Sequence, residues 1–150
     1  MLGAALVGEV IEHLLVIFHG GGANGKSVFT GVIQEAMGDY AMTAPPGLLM
    51  AKRNEQHPTE LADLFGKRLV VISETNDGQK LDEGLVKMLT GGERIRARHM
   101  RQDHWEFRPS HLPVLVTNHK PRVIGTDYAI WRRLRLVPFG VTIPEARQDK

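Results

Sequence analysis

The chain has 150 residues, with 19 Lys or Arg, 17 Asp or Glu and 7 His, and a formal net charge of +2. A composition of 42% hydrophobic and 24% charged residues is typical of one globular domain and excludes a disordered chain. Because cysteine is absent, disulfide frameworks and thiolate metal sites are excluded, and we expect a cytoplasmic protein. Glu9, Glu12 and His13 interrupt the apolar opening, which argues against a signal peptide, a spanning helix or a membrane partner.

Residues 20–27 form the most informative motif. They read Gly-Gly-Gly-Ala-Asn-Gly-Lys-Ser, which matches the eight-position phosphate loop. An apolar run over residues 14–18 predicts a buried strand before the loop, and residues 28–37 predict a helix after it. Strand, loop and helix in this order indicate a nucleoside triphosphate site, in which backbone N–H groups face the phosphates at the positive helix end. A glycine-rich turn without a ligand is the alternative.

Each position of the loop has an expected role. Lys26 would reach the β- and γ-phosphates, and the Ser27 hydroxyl would bind the accompanying Mg²⁺. The expected nucleotide-binding residues are Gly20, Gly22, Asn24, Gly25, Lys26 and Ser27.

Two further apolar runs predict buried strands that end in polar residues. Residues 68–73 end at Glu74, and residues 112–117 end at Asn118. In a parallel sheet both ends lie on the edge that carries the phosphate loop. Glu74 could hold Mg²⁺ through water or orient the attacking water, and Asn118 could contact water and the γ-phosphate. A solvated glutamate and an ordinary turn asparagine are the alternatives.

Basic residues are concentrated in the second half of the chain. Between residues 94 and 135 there are ten Lys or Arg and three Asp or Glu, a local balance of +7, which leaves −5 for the remainder. Such segregation is typical of a surface that binds a phosphate backbone. Residues 94–107 alternate as in a β-hairpin, so Arg98 and Arg101 could face nucleic acid. A hairpin with a solvated basic face is the alternative.

Together these motifs resemble the superfamily 3 helicases, and within them the ATPase domain of the phage and plasmid primase-helicases, the poxvirus-type NTPase/primase C-terminal domain. The resemblance covers residues 14–139. It rests on the 20–27 loop, the strand ending at Glu74, the run 85–92, Ala97-Arg98, Val116-Thr117-Asn118, the run 130–134 and Pro138-Phe139. It implies an α/β P-loop NTPase of AAA+ type: a mostly parallel central sheet flanked by helices, with a β-hairpin insertion. Residues 1–150 would form a single ATPase core within a longer primase-helicase.

The resemblance also implies roles for individual residues. Relatives use ATP and Mg²⁺, assemble as homo-oligomeric rings, usually hexamers, and pull single-stranded or forked DNA through a channel. The implied catalytic residues are Lys26, Glu74, Asn118 and Arg133, and the implied metal-binding residues are Ser27 and Glu74. Arg133 resembles the arginine finger that enters a neighbour's ATP site, with Arg132 as second candidate. The implied DNA contacts are Lys87, Arg98 and Arg101.

Two positions depart from the family pattern. Ser73 stands where many relatives have an acidic residue, so Mg²⁺ binding would be weaker or water-mediated, and the hairpin tip lacks an adjacent Lys-His pair.

The function implied by the resemblance is that of an ATP-dependent DNA helicase or translocase in phage, plasmid or prophage replication, in a bacterial or infected host cytoplasm. The alternatives are a nucleotide- and nucleic-acid-binding module without turnover, and a phosphotransferase.

Overall fold

The computed structural model describes residues 2–51, 58–74 and 77–148, which contain both helices and strands. The helices are α1 (Leu2–Val7), α2 (Lys26–Met37), α3 (Pro58–Ala62), α4 (Glu83–Thr90) and α5 (Tyr128–Trp131), with 3₁₀ turns at Gly38–Tyr40 and Glu145–Arg147. The strands are β1 (Leu15–His19), β2 (Ala41–Ala44), β3 (Leu69–Glu74), β4 (Ile95–Ala97), β5 (Trp105–Phe107), β6 (Leu112–Thr117) and β7 (Leu134–Pro138).

Five strands form one sheet in the order β2-β3-β6-β1-β7, and each pairing among these described strands is parallel. β1 lies between β6 and β7, with Phe18 opposite Val116 on one side and Val137 on the other. β4 and β5 form a separate antiparallel hairpin in which Ile95 is opposite Phe107. The expected α/β fold, with a mostly parallel sheet, flanking helices and a hairpin insertion, is therefore confirmed.

Apolar side chains cover both faces of the sheet, as expected for parallel strands that are hydrophobic along their whole length. On one face Ile17, Ile72 and Leu115 pack in a cluster with residues of α3, α4 and the hairpin. On the other face Val16, Val71 and Val114 pack with residues of α1 and α2, and with Phe139 after β7. Because strand residues alternate between the faces, helices on both sides fix the position of the strand ends.

The boundaries of most elements agree with the sequence patterns. The strand over residues 112–117 is confirmed, and those expected over residues 14–18 and 68–73 lie one residue later. The sequence of residues 58–65 favours a short helix, and the helix observed there ends at Ala62 and is followed by turns. Residues 81–89 have helical spacing, and the helix observed there begins at Glu83, because the side chain of Asp82 caps it by accepting from the Leu85 N–H at 2.9 Å.

The hairpin is amphipathic, as its alternating pattern predicts. Ile95, Ala97 and Phe107 are buried, whereas the side chains of Arg98 and Arg101 are exposed. Its tip turns through Arg101, whose φ of 62° is unusual for a residue other than glycine. No helix within residues 2–51, 58–74 and 77–148 is long and apolar enough to cross a membrane.

His111 is buried immediately before β6, with 4% of its surface exposed. Neither of its ring nitrogens has a hydrogen-bond partner among the described residues. Burial lowers the pKa of His111 from 6.5 to about 4, because a charged imidazole would lose its hydration without gaining a partner. The folded chain therefore holds this histidine neutral at pH values where the unfolded chain protonates it.

We predict that this histidine makes the fold less stable in acid. The unfolded state binds the proton in this range and the folded state does not. The contribution of His111 to the free energy of unfolding is therefore fully present above pH 6.5 and falls as the pH drops toward about 4. The shift corresponds to about 3 kcal/mol of unfolding free energy. Urea unfolding at several pH values should show a smaller pH dependence across this window for His111→Met, since methionine fills the same space without titrating. An unchanged pH dependence would contradict the assignment.

Candidate nucleotide site

A cavity of 840 Å³ opens at the carboxyl-terminal edge of the sheet. Its walls come from the phosphate loop, the first turns of α2, the ends of β3 and β6, and the segment 143–148. The volume lies within the range of small-molecule sites, and the position is where open α/β sheets bind ligands. The fold thus brings together at one cavity the loop and the two strand ends that the sequence singles out.

Glycine is required at two positions of the loop for different reasons. A Cβ atom at Gly20 would lie 2.2 Å from the carbonyl oxygen of Phe139, so this position admits no side chain. Gly25 has a φ of 80° and caps the start of α2 in the left-handed region, which glycine adopts at least cost. These two residues let the chain turn sharply from β1 into α2.

Lys26 folds back over the loop that precedes it. Its Nζ donates to the carbonyl oxygen of Gly20 at 2.6 Å and to Oδ1 of Asn24 at 3.0 Å. Only 5% of the residue's surface is exposed, and burial lowers the pKa of Lys26 below its usual value. The ammonium group is therefore held at the start of α2, in contact with acceptors that phosphate oxygens could replace.

Asn24 connects the loop to the chain beyond β7. Its Nδ2 donates to the carbonyl oxygens of Gly21 and Phe139, the latter at 2.9 Å, while its Oδ1 accepts from Lys26. The side chain thereby fixes the loop, the lysine and residue 139 relative to one another. The sequence predicts Asn24 as a nucleotide-binding residue, and the structure gives it this internal role.

Ser27 is exposed at the first turn of α2 and lines the cavity with Gly22, Ser73 and Asn118. Its hydroxyl is an oxygen ligand of the kind that Mg²⁺ prefers, and Mg²⁺ characteristically arrives with the phosphates and keeps several waters. Across residues 2–51, 58–74 and 77–148 no group of three or more His, Asp or Glu could hold a metal ion by itself.

The ends of β3 and β6 lie side by side. In the parallel register Glu74 is opposite Thr117, so the Glu74 backbone lies next to the strand that leads into Asn118. The Glu74 side chain lies outside the described part of the chain, so its predicted role stays a prediction. Asn118 is exposed and lines the cavity, and the turn after it is held by Thr117 Oγ1, which accepts from the His119 N–H at 3.1 Å.

Sequence comparison assigns a family. The model of a family described as "Family of unknown function (DUF5906)" matches residues 18–133, which include the loop, Glu74, Asn118 and the run 130–133. The chain belongs to the DUF5906 family.

Viral proteins named as helicases and primases are among the curated relatives of this DUF5906 domain. A protein of Acanthamoeba polyphaga mimivirus named as a helicase is 32% identical over 141 residues, 93% of this chain and 15% of that protein. A protein of Invertebrate iridescent virus 6, also named as a helicase, is 28% identical over 95% of this chain and 15% of its own length. A protein of African swine fever virus named as a primase is 28% identical over 89% of this chain and 14% of its own length. The chain thus spans about one seventh of the relatives' lengths.

Solved structures share the fold. The C-terminal region of NrS-1 aligns with 96% of this chain and 34% of its own length, at a TM-score of 0.66 and 12% identity. JCV helicase aligns with 92% of this chain and 38% of its own length, at a TM-score of 0.61 and 14% identity. The resemblance to superfamily 3 primase-helicases that the motifs indicate is confirmed by these comparisons together with the viral relatives.

Arg133, the predicted arginine finger, is buried inside this DUF5906 domain, with 8% of its surface exposed. Its Nε donates to Thr90 Oγ1 at 3.1 Å, and one terminal nitrogen donates to the carbonyl oxygen of Ala129 at 2.5 Å. The guanidinium is therefore bonded within its own chain, and its role as an arginine finger stays a prediction. Arg132 is exposed and lines a second cavity of 570 Å³ with Glu12, His13 and Arg135.

Lys87, a predicted DNA contact, forms an ion pair with Asp127, with 2.6 Å between Nζ and Oδ2. Asp127 also caps α5 by accepting from the Ile130 N–H at 2.9 Å. This pairing lowers the pKa of Asp127, first through the hydrogen bond from Lys87 and then through that from Ile130. Lys87 therefore joins α4 to α5, whereas Arg98 and Arg101 remain exposed at the hairpin.

Sequence reasoning missed the segment after β7. Ile143, Arg147 and Gln148 line the main cavity, and the Ile143 N–H donates to the carbonyl oxygen of Ala23 at 2.7 Å. No periodicity or turn signal marks these residues as part of a site. The Pro138-Phe139 motif was the nearest available sign, because residue 139 contacts the loop.

We predict that Thr90→Val destabilises the fold by about 1–3 kcal/mol, because it leaves the buried Arg133 Nε without its acceptor. The exposed Thr126→Val is the matched control and should change the free energy of unfolding by less than about 0.5 kcal/mol. Urea unfolding of both variants measures the difference. If both variants lower the free energy of unfolding by the same amount, the result would contradict a stabilising hydrogen bond between Thr90 of α4 and Arg133.

Proposed function

We propose that this chain is the ATPase core of a replicative helicase or translocase that couples ATP hydrolysis to movement along DNA. The observation that carries the proposal is the single cavity lined by Lys26, Ser27, Ser73 and Asn118. A phosphate loop alone would suit many enzymes, but a loop opposed by polar residues at two strand ends suits hydrolysis of the terminal phosphate. The helicase and primase names of the viral relatives support the same conclusion and favour a viral setting.

Binding of a triphosphate requires Lys26 to exchange partners. The carbonyl oxygen of Gly20 and Oδ1 of Asn24, which now accept from Nζ, would give way to β- and γ-phosphate oxygens. The backbone N–H groups at the start of α2 would hold the remaining charge. Ser27, with Glu74 directly or through water, would hold the Mg²⁺ that neutralises charge on the phosphates.

Hydrolysis needs a water placed in line with the leaving group. We assign this to Glu74 and Asn118, whose strands lie in register at the edge of the cavity. Asn118 would contact the γ-phosphate and so report whether it is present, while the Glu74 carboxylate would orient the water. Ser73, which lines the cavity beside them, can offer only a hydroxyl where a second carboxylate would bind the metal more strongly.

An arginine supplied by a neighbour would complete the site. The segment that contains Arg132 and Arg133 lies at the edge of the sheet opposite the phosphate loop, since the Leu15 N–H donates to the Arg133 carbonyl oxygen at 2.8 Å. The length of β1, roughly 16 Å for five residues, separates this edge from the loop of the same subunit. We therefore propose a ring, hexameric by the family resemblance, in which the exposed Arg132 enters the neighbour's site and the buried Arg133 positions it.

DNA contact is assigned to Arg98 and Arg101 of the hairpin, because both are exposed and belong to the basic half of the chain. Lys87 has a smaller part in this proposal than the sequence implies, since its ammonium group is bonded to Asp127. Contacts to the backbone of single-stranded or forked DNA suit a protein that moves along its substrate. Residues 1–150 would then form one ATPase domain of a longer primase-helicase, working in the cytoplasm of the host cell.

The test is ATP turnover by the chain with and without single-stranded DNA, with the mass of the assembly recorded. We expect DNA to stimulate turnover in a ring-sized species and Lys26→Ala to abolish it, because the ammonium charge on the phosphates is lost. Arg98→Ala with Arg101→Ala should remove the stimulation and leave basal turnover unchanged, because the hairpin residues are not among those that line the cavity.

Other outcomes would separate the alternatives. Tight ATP binding by a monomer without turnover would indicate a nucleotide-binding module, and turnover that depends on a small acceptor rather than DNA would indicate a phosphotransferase. The exposed hairpin residue Gln102→Ala is the control, since it removes a side chain of similar reach without removing a charge. Stimulation that survives in the double arginine variant would contradict the hairpin assignment.

A further inference from the structure

Residues 123–133, which we call the arginine segment, have little regular structure of their own. Residues 123–127 form neither helix nor strand, and α5, which follows them, has four residues. A helix of about one turn is not stable in isolation, because it closes too few hydrogen bonds to offset the cost of ordering its backbone. The position of Arg132, the exposed residue directly after α5, is therefore set by contacts with other parts of the chain.

Polar side chains on one side of α4 make such contacts. Their spacing of four and three residues places them in a row along the helix. We call this row the α4 stripe, and its members are Glu83, Lys87 and Thr90. Lys87 Nζ donates to Asp127, the residue before α5, and Thr90 Oγ1 accepts from Arg133 Nε. The stripe thus holds the arginine segment on either side of α5.

Glu83 holds the start of the arginine segment through two backbone N–H groups. Its Oε1 accepts from Ile124 at 2.9 Å and from Gly125 at 2.7 Å. Gly125 admits no side chain here, because a Cβ atom would lie 2.1 Å from Glu83 Oε2. The carbonyl oxygen of Gly125 accepts in turn from Trp131 Nε1 at 2.9 Å, so this set of bonds reaches the residue next to Arg132.

We propose that the α4 stripe positions Arg132 for the ATP site of a neighbouring subunit. The inference rests on the proposed function, since it takes Arg132 to act in a second copy of the chain. Among the described residues that line the nucleotide cavity, none belongs to the stripe. The stripe residues are therefore positioning residues, which act through the arginine segment and not on their own chain's nucleotide. A displacement of about 1 Å can lower a reaction rate about a hundredfold, so small losses of support for Arg132 would be measurable.

The test uses assemblies that contain two variants of the full chain. Arg132→Ala keeps the phosphate loop but supplies no arginine, whereas Lys26→Ala supplies the arginine but has no working loop. Neither variant should turn over ATP alone. Co-purification through two different affinity tags ensures that each assembly contains both chains. Turnover should then be restored wherever an Arg132→Ala subunit receives the arginine of a Lys26→Ala subunit.

Lys87→Met is then added to one of the two chains at a time, and turnover is measured without DNA. In the arginine-supplying chain it should lower the restored turnover about tenfold or more, with an unchanged KM for ATP, because Arg132 loses support. In the loop-supplying chain it should have no effect, because the stripe of that chain has no arginine to position. Lys87→Arg in the arginine-supplying chain should retain most of the turnover, since a guanidinium can still donate to Asp127.

Lys80→Met in the arginine-supplying chain is the matched control, because it makes the same chemical change at an exposed lysine outside the stripe. It should leave the restored turnover unchanged. An equal loss from Lys87→Met in either chain would overturn the inference in favour of a general loss of stability. Unchanged turnover with Lys87→Met in both positions would also overturn it.

The assembly without Lys87→Met separates this inference from the proposed function. If the native chain turns over ATP but the assembly of Arg132→Ala with Lys26→Ala does not, the ATPase assignment stands and the positioning role of the stripe is overturned. If the native chain does not turn over ATP, the proposed function fails and the positioning role fails with it.

Discussion

The parallel direction of the five-stranded sheet is the constraint on which the candidate site depends. Because β1, β3 and β6 run the same way, their carboxyl ends lie on one edge, and the phosphate loop, Ser73 and Asn118 line one cavity. Burial on both faces keeps the strands in register, so the spacing between these ends is set by the core rather than by the loops. The carbonyl oxygen of Arg133 accepts from the Leu15 N–H at the opposite edge of the sheet, at the other end of β1 from the loop.

The loop is held by bonds that a triphosphate would have to replace in part. Asn24 has two tasks, since it accepts from Lys26 and donates to the Phe139 carbonyl oxygen. Asn24 thereby links Lys26 to Phe139, the residue that follows β7. A second set of bonds joins α4 to the arginine segment, through Lys87 with Asp127 and Thr90 with Arg133. Because the chain runs from α4 into the hairpin, these bonds fix the arginine segment to the helix that precedes the hairpin.

Much of the fold follows from local patterns, and the parts that do not have identifiable reasons. The strands at residues 69–74 and 112–117 are mostly continuous apolar runs, so their sequence identifies them as buried. Gly25 and Lys26 identify the loop, because the turn requires a glycine and the phosphates require a positive charge. β2 is short and contains only one β-branched residue, and its pairing with β3 supplies what its propensity lacks. The burial of Arg133 depends on Thr90, which is 43 residues away, and the position of Ile143 depends on a main-chain bond to Ala23. Sequence periodicity carries no information on such contacts.

The most direct test of the account is an amide chemical-shift map of the chain as a slowly hydrolysed ATP analogue and Mg²⁺ are added. The account predicts that the perturbed amides concentrate at residues 22–29, 32, 73, 116–118, 143 and 147–148, which line the cavity. Perturbation confined to another concavity, such as that formed by Ala51, Asp82 and Gly125, would contradict the central claim that the phosphate loop and the two strand ends form one nucleotide site.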